Sequence, residues 1–395
     1  MRVIFLNRFY WPDEPATAQL LTDLAENLAA AGHDVTVIAS CPDSNRARRR
    51  ENRAGVAISR VTSTRWSKHG VVGKAADFVT FYLSALIKLI FTVQRDDCVV
   101  ALTDPPLLGV GAWLVARLCG ARIFHWTQDI YPEIAIVLSG HSWLRFITPL
   151  RNLAWRKSDG CVTLGSDMAA LLIGDGVPAK HVTVLPNWAP AGLTVPPRST
   201  VDALRRAWNL EGKFVVAYSG NLGRVHDLDP VLDVATALRD DAGIALVFIG
   251  GGAQRTRLEA QVAERELSNV HFHPSQARNQ LATALALGDL HLVTLLPGCE
   301  SLVFPSKLYG VTAVGRPVLF IGPGECEIAR LVETRGLGRA FGREDTVAIA
   351  ATIRELQGDP ASLRRMAAAA AGFAHHHSGP TQAGQVWDAL LKQIS

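Results

Sequence analysis

Glu300, Ser306 and Lys307 sit close together on a Gly- and Pro-bounded stretch, and residues of those types suit a sugar carried on a phosphate. Pro305 and Ser306 supply a helix start. A helix start with its free N–H groups and a lysine in the first turn favours a phosphate or diphosphate. Glu300, a carboxylate beside an anion site, is suited to hydroxyls of whatever the phosphate carries. A capped helix with an exposed Lys and Glu would give the same letters. A second candidate lies at Ser219-Gly220-Asn221-Leu222-Gly223-Arg224, where glycines after an apolar run let backbone N–H groups approach phosphate and Arg224 adds a bidentate grip. Gly250 and Gly251 close another apolar run in the same way. His375 to His377 stand without carboxylates beside them, so no metal is expected there and Arg224 with Lys307 must neutralise a diphosphate.

These residues need strand ends to hold them. Apolar runs at Arg2–Leu6, Val35–Ala39, Val56–Val61, Val99–Leu102, Ala121–Trp126, Cys161–Leu164 and Val182–Leu185 alternate with amphipathic stretches. Phe214–Tyr218, Ala245–Ile249, Val270–His273, Leu290–Leu295 and Val318–Ile321 repeat the pattern. Strands alternating with helices predict parallel α/β sheets, which bind ligands at the carboxyl edge. Pro186–Ser199 carries four prolines and reads as a linker between two such halves. In the first half, Asn7–Thr17 is a long aromatic loop carrying Asp13, Glu14 and Thr17. His125 lies at the end of the fifth apolar run and Asp129 just after it. Either histidine packing in a core or chemistry accounts for His125.

The stretch ESLVFPSKLYGVTAVGRPVLFIG resembles the signature of the family-4 retaining glycosyltransferases of the GT-B fold, which build cell-surface polysaccharides. Glu300 matches the family's first Glu, and Gly315, Pro317 and Val318 match its tail. The family's second Glu is absent, with Leu308 or Gly310 in its place, so the chain looks like a branch with Pro-Ser-Lys there. HWTQDIYPE resembles the motif whose His and Asp lie near sugar and acceptor, and the Asp13–Thr17 loop resembles an acceptor-side loop. The resemblance implies two Rossmann-like doubly wound domains facing across a cleft: residues 1–190 for acceptor, 191–375 for nucleotide-sugar donor, and a helix at 376–395 returning to the first domain. It implies Glu300 on donor-sugar hydroxyls, Lys307 and Arg224 on the diphosphate, and His125 and Asp129 at sugar and acceptor. Gly220, Asn221, Gly223, Gly250, Gly251 and Ser306 would line the donor site, with Pro274–Arg278 near the base. By topology Glu325 and Glu327, just beyond Phe320-Ile321-Gly322, are the acids nearest the missing ribose contact, and Glu327, at a helix start, is favoured to replace it in the donor site. The donor would be UDP-linked, the acceptor a lipid-linked saccharide, and no cofactor is needed. A GT-B epimerase, a phosphorylase or a non-catalytic partner subunit stand as alternatives.

At 395 residues, with 48% apolar and 19% charged residues, the chain suits two domains on the hydrophobic side of soluble proteins. Its net charge of +4 falls in the first half, because residues 1–190 hold 20 Lys+Arg against 16 Asp+Glu and the remainder hold 20 against 20. Asn45–Arg53 contributes five arginines as a loop; without interleaved aromatics it suits an anionic membrane surface better than nucleic acid. Trp143–Lys157 reads as one amphipathic helix kinked at Pro149, fit either for a core or for a membrane interface. Ala75–Val93 is near a membrane span in length but is broken by Asp77 and Lys88. Six cysteines without a CxxC pair read as reduced thiols of a cytoplasmic protein at the inner membrane face.

Overall fold

A computed structural model describes residues 1–41, 50–66, 70–376 and 379–393, and it divides the chain into two compact units. The first unit comprises Met1–Pro190, Ser301–Phe304 and Ser378–Ser395; the second comprises Ala191–Glu300 and Pro305–His377.

The first unit is built on eight strands: β1 (Arg2–Leu6), β2 (Asp34–Ser40), β3 (Arg50–Arg53), β4 (Val56–Val61), β5 (Cys98–Ala101), β6 (Arg122–Thr127), β7 (Gly160–Thr163) and β8 (Val182–Val184). They are ordered β3-β4-β2-β1-β5-β6-β7-β8, and every pairing is parallel except β3 with β4. The central strands are buried on both faces, which is why they read as continuous apolar runs rather than alternating ones. The order reverses between β1 and β5, so the loops after those two strands share the switch point where such sheets hold ligands. The Pro380–Lys392 helix belongs to this unit. Its fully buried Trp387 packs edge-on against Phe5, Phe124 and Trp126.

The second unit holds β9 (Phe214–Ser219), β10 (Ile244–Ile249), β11 (Val270–His273), β12 (Leu290–Thr294), β13 (Val318–Ile321) and β14 (Gly338–Phe341). All five pairings are parallel, in the order β11-β10-β9-β12-β13-β14. That is the doubly wound dinucleotide-fold order, and its reversal lies between β9 and β12. The loops carrying Gly220–Arg224 and Glu300–Lys307 leave these two strands.

Several elements differ from the sequence reading. The basic run is not all loop: Arg50–Arg53 is an antiparallel edge strand, and Arg53 is bound to Glu26 at 2.7 Å and stacked on Trp11. Residues 45–49 of that run lie outside those described. Trp143–Lys157 is not one kinked helix but a 3-10 turn over Ser142–Ile147 and an α-helix over Thr148–Arg156. Pro149 falls in the first turn of the second piece, where its missing N–H costs nothing. Arg198–Ala207 is a helix that begins inside the expected linker. Strand β14 was hidden by its composition, since a Cβ on Gly338 would lie 1.6 Å from the Val318 carbonyl oxygen and glycine is required there.

Candidate active site

In the second unit the candidate donor site is assembled at the switch point between β9 and β12. Lys307 is the first residue of the short Lys307–Ala313 helix, with Ser306 at its cap position but without a capping side-chain bond. The lysine amine points back under β9. Its Nζ lies 2.5 Å from the Tyr218 hydroxyl oxygen and 3.2 Å from His226 Nε2, and 4.0 Å from the centre of the Tyr218 ring. Tyr218 donates its own O–H to the Asn221 carbonyl at 3.0 Å, so its oxygen accepts from the lysine. His226 Nδ1 lies 2.9 Å from the Thr294 carbonyl oxygen, which fixes the proton there and leaves Nε2 as an acceptor. Burial drives the Lys307 amine well below its ordinary range. Burial first, and the adjacent lysine second, push the His226 imidazole down to about 3.

The glycines have a second task besides approaching phosphate. A Cβ on Gly250, at φ +146°, would sit 2.1 Å from the Gly220 carbonyl oxygen, so this glycine lets the loops after β9 and β10 touch. Gly251 accepts from Leu222 N–H at 2.7 Å, and the Gln254 side chain donates to the Gly223 and His226 carbonyls at 2.6 and 2.9 Å. Gly220 lies against the lysine, its Cβ position 3.5 Å from Lys307 Cε. Asn221 and Arg224 are exposed, and Arg224 has no ion-pair partner among the described residues. Glu300 is half-buried and accepts from Gly298 N–H at 3.0 Å. Glu327 opens the Glu327–Thr334 helix; burial first, and the Glu327 charge second, raise the Tyr309 phenol.

In the first unit His125 and Asp129 line a common cavity of about 30 Å³ with Thr103, Thr127, Tyr131 and Arg151. His125 is buried and its Nε2 makes no full hydrogen bond among the described residues; burial lowers the imidazole to about 4 against the opposing pull of the Ala154 backbone, so it is neutral at physiological pH. Asp129 donates its backbone N–H to Thr103 Oγ1 at 3.2 Å and forms a bridge with Val303 of the Ser301–Phe304 segment. Burial raises its carboxyl to about 7, with the charge of Asp104 adding to the rise. Asp104 itself is raised to about 6 by burial, against the pull of Arg8 and Lys74. Asp104 therefore joins the site at the β1/β5 switch point, although the sequence shows it only as a helix-opening Asp-Pro-Pro. Of the acceptor-side residues, Asp13 accepts from Tyr10 N–H at 3.2 Å and thus closes its own turn, Glu14 is exposed, and Thr17 is half-buried in the first turn of the Ala16–Ala30 helix.

Residues 17–188 match the family model described as a glycosyl transferase 4-like domain, and residues 200–373 match glycosyl transferases group 1. The chain belongs to the group 1 glycosyltransferases. It is 27% identical over 374 residues to a putative colanic acid biosynthesis glycosyl transferase, WcaI, of Escherichia coli, covering 90% of this chain and 92% of that one. It is 28% identical over 301 residues to a GDP-mannose-dependent alpha-mannosyltransferase of Mycobacterium tuberculosis, covering 73% and 72%. Its fold superposes on HepE of Anabaena, solved with UDP and glucose, at a TM-score of 0.78 with 17% identity and all of both chains covered. This glycosyltransferase thus has two Rossmann-like parallel α/β domains of the GT-B fold and is a retaining, nucleotide-sugar-using enzyme. The two residues that touch Lys307, Tyr218 and His226, were not singled out from the sequence, nor was Gln254. Tyr218 ends an uninterrupted apolar strand and reads as core; His226 lies in a polar loop with nothing in its spacing to mark it.

Proposed function

We propose that this glycosyltransferase takes a UDP-linked sugar and transfers it, with retention, to a lipid-linked saccharide at the cytoplasmic face of a membrane. Lys307 carries the reading: a half-buried amine with no carboxylate partner among the described residues, at the switch point of a doubly wound sheet, suits a diphosphate leaving group. Arg224 supplies the exposed second cation, Glu300 holds sugar hydroxyls, and Ser306, Gly220, Asn221, Gly223, Gly250 and Gly251 shape the surrounding wall. His125 and Asp129 serve sugar and acceptor, with Asp13, Glu14 and Thr17 on the acceptor side. Titration with UDP and GDP, followed by assay of nucleotide release from their sugars with a lipid-diphosphate acceptor, tests the reading. UDP is favoured by the likeness to HepE, and the mannosyltransferase relatives make GDP its rival. Tighter binding of GDP would replace the donor, and absence of binding by either would remove the site.

Glu327 stands for the missing ribose carboxylate, since its charge acts on Tyr309 in the helix that Lys307 opens. Glu327→Gln should raise the donor KM about ten-fold, the loss of about 1.4 kcal/mol, with a smaller change for a 2′-deoxyribose donor. Equal losses for both donors would dismiss the contact.

The membrane reading draws on one face of the first unit. Val79, Leu83, Ile87 and Ile90 form an exposed stripe at helical spacing on the Gly70–Ile90 helix. The Leu108–Cys119 helix packed against it exposes Leu114 and Leu118, and the next, Thr148–Arg156, exposes Leu150 and Leu153, with Trp143 and Phe146 just before it. The charged groups exposed on these segments are cations, among them Lys74, Arg117, Arg145 and Arg156, while their one carboxylate, Asp77, is buried. An apolar stripe with a basic rim suits an anionic interface, and among the described residues no helix is long and apolar enough to cross a membrane. Co-sedimentation with anionic vesicles should fall steeply with salt and weaken in Trp143→Ala/Phe146→Ala. Equal binding to neutral and anionic vesicles would refute the electrostatic part.

A further inference from the structure

Lys307 has an unusual set of partners for a half-buried lysine. Its amine faces two oxygen or nitrogen acceptors, Tyr218 Oη and His226 Nε2, and both are neutral. No carboxylate pairs with it among the described residues. A neutral amine has two hydrogens, and two acceptors satisfy them. An ammonium in this half-buried place would have a third hydrogen and a full charge that no group among the described residues receives.

Among the described residues, the charged groups around the helix are engaged elsewhere or are cations. Within the strands and helices packed on the Lys307–Ala313 helix, β13 and the Leu281–Ala286 helix carry no ionisable side chain. In β12, His291 spends its Nε2 on the Leu285 carbonyl at 2.6 Å, and burial lowers it to about 4. The Pro360–His376 helix offers Arg364, Arg365 and His375 and no carboxylate. In the loop after β9, Arg224 is exposed and Asp227 is 3.3 Å from Arg343. Glu300 accepts from the Gly298 N–H, and Glu327 acts on Tyr309.

We propose that Lys307 rests as a neutral amine held by Tyr218 and His226, and that a nucleotide diphosphate on binding draws a proton from solvent onto Nζ. The inference rests on the donor reading above and adds the protonation state of its central cation. The balance is simple: R–NH₂ and a solvent proton give R–NH₃⁺, whose third hydrogen goes to a diphosphate oxygen. Tyr218 and His226 are then positioning residues. They keep the amine aimed and satisfied while the site is empty, which avoids burying a bare charge. Burial, the cause that depresses Lys307, acts in the same direction. The consequence is a donor affinity that declines as pH rises from the free-enzyme pKa of Lys307, well below the usual lysine range.

Two measurements test this, and they fail separately. In the donor-free protein labelled with [ε-¹³C]lysine, the resonance missing from Lys307→Met should titrate far below the remaining lysines; titration with them near about 10.4 overturns the proposal. Calorimetry of UDP binding at about pH 8, where the nucleotide phosphates are fully ionised, should show proton uptake when buffers of contrasting ionisation enthalpy are compared. Lys307→Met should abolish that uptake. Binding without buffer dependence, or uptake that survives Lys307→Met, overturns the proposal. Failure of UDP and GDP to bind would instead sink the donor reading, and the labelled-lysine titration would still decide whether the amine rests neutral. For the positioning role, Tyr218→Phe removes one acceptor from the ammonium and should shift the decline in donor affinity to lower pH; an unmoved profile removes Tyr218 from the role.

Discussion

Lys307→Ala should lower turnover at saturating donor by about 10²-fold or more, because a charge contact that strengthens as the diphosphate departs is worth about 2.7 kcal/mol or more in a dry site. The effect belongs in kcat as well as KM, since the negative charge on the leaving phosphate grows toward the transition state. Stability should move little by comparison. The variant loses a half-buried amine that is expensive to keep, although it leaves Tyr218 Oη and His226 Nε2 without their donor. Lys307→Arg should rescue only in part. The amine fits between the Tyr218 ring, 4.0 Å away, and His226 Nε2, and a planar guanidinium needs a wider slot and stays charged when the site is empty. A kcat close to wild type in Lys307→Ala would remove this residue from the mechanism.

Much of this site was legible in the sequence because strand ends are legible. Continuous apolar runs marked β9 and β12, so the loops after them had to emerge at the carboxyl edge; helix-start signals and the family resemblance then singled out Gly220, Arg224, Glu300 and Lys307 on those loops. The partners of Lys307 were not legible, because contact between Lys307 and Tyr218 depends on the pairing of β9 beside β12, which no local pattern records. Asp104 was hidden for the same reason. Its place beside Asp129 comes from the adjacency of β5 and β6, while locally it looks like the acid that opens a helix. Strand β14 escaped because its alternation is short and begins with a glycine that packing demands. The apolar stripe on Trp143–Leu153 could have faced core or solvent by periodicity. Exposure decides it, since Phe146 is 86% exposed while Arg151 and Trp155 of the same segment are buried.

The paired carboxylates give a second result, in which activity and stability should part. Asp129→Asn is expected to cut turnover by about 10²-fold or more, the usual loss when a positioned acid or base is removed. It should also make the protein more stable at about pH 8. The sign follows from linkage. The folded carboxyl is raised to about 7 against about 3.8 when unfolded, by burial and then by Asp104, so the folded protein holds the extra proton between those values. Stability therefore declines as pH rises through that window, and at pH 8 an ionised Asp129 costs the fold on the order of 1–3 kcal/mol. An amide of the same shape avoids the cost, so the melting temperature should rise by roughly 2–4 °C per kcal/mol for a unit of this size, and the advantage should vanish by about pH 4. The buried histidines act in the opposite sense. His125, His226 and His291 are held neutral by burial, so acid below about 6.5 protonates the unfolded chain first and erodes stability in wild type and variant alike. The comparison that matters is thus the difference between the two proteins across pH. Asp104→Asn should shift the wild-type pattern by letting Asp129 ionise at lower pH. A destabilised Asp129→Asn at pH 8 would mean that the carboxylate is structural, and its charge would then have to be satisfied by the fold rather than held ready for a hydroxyl.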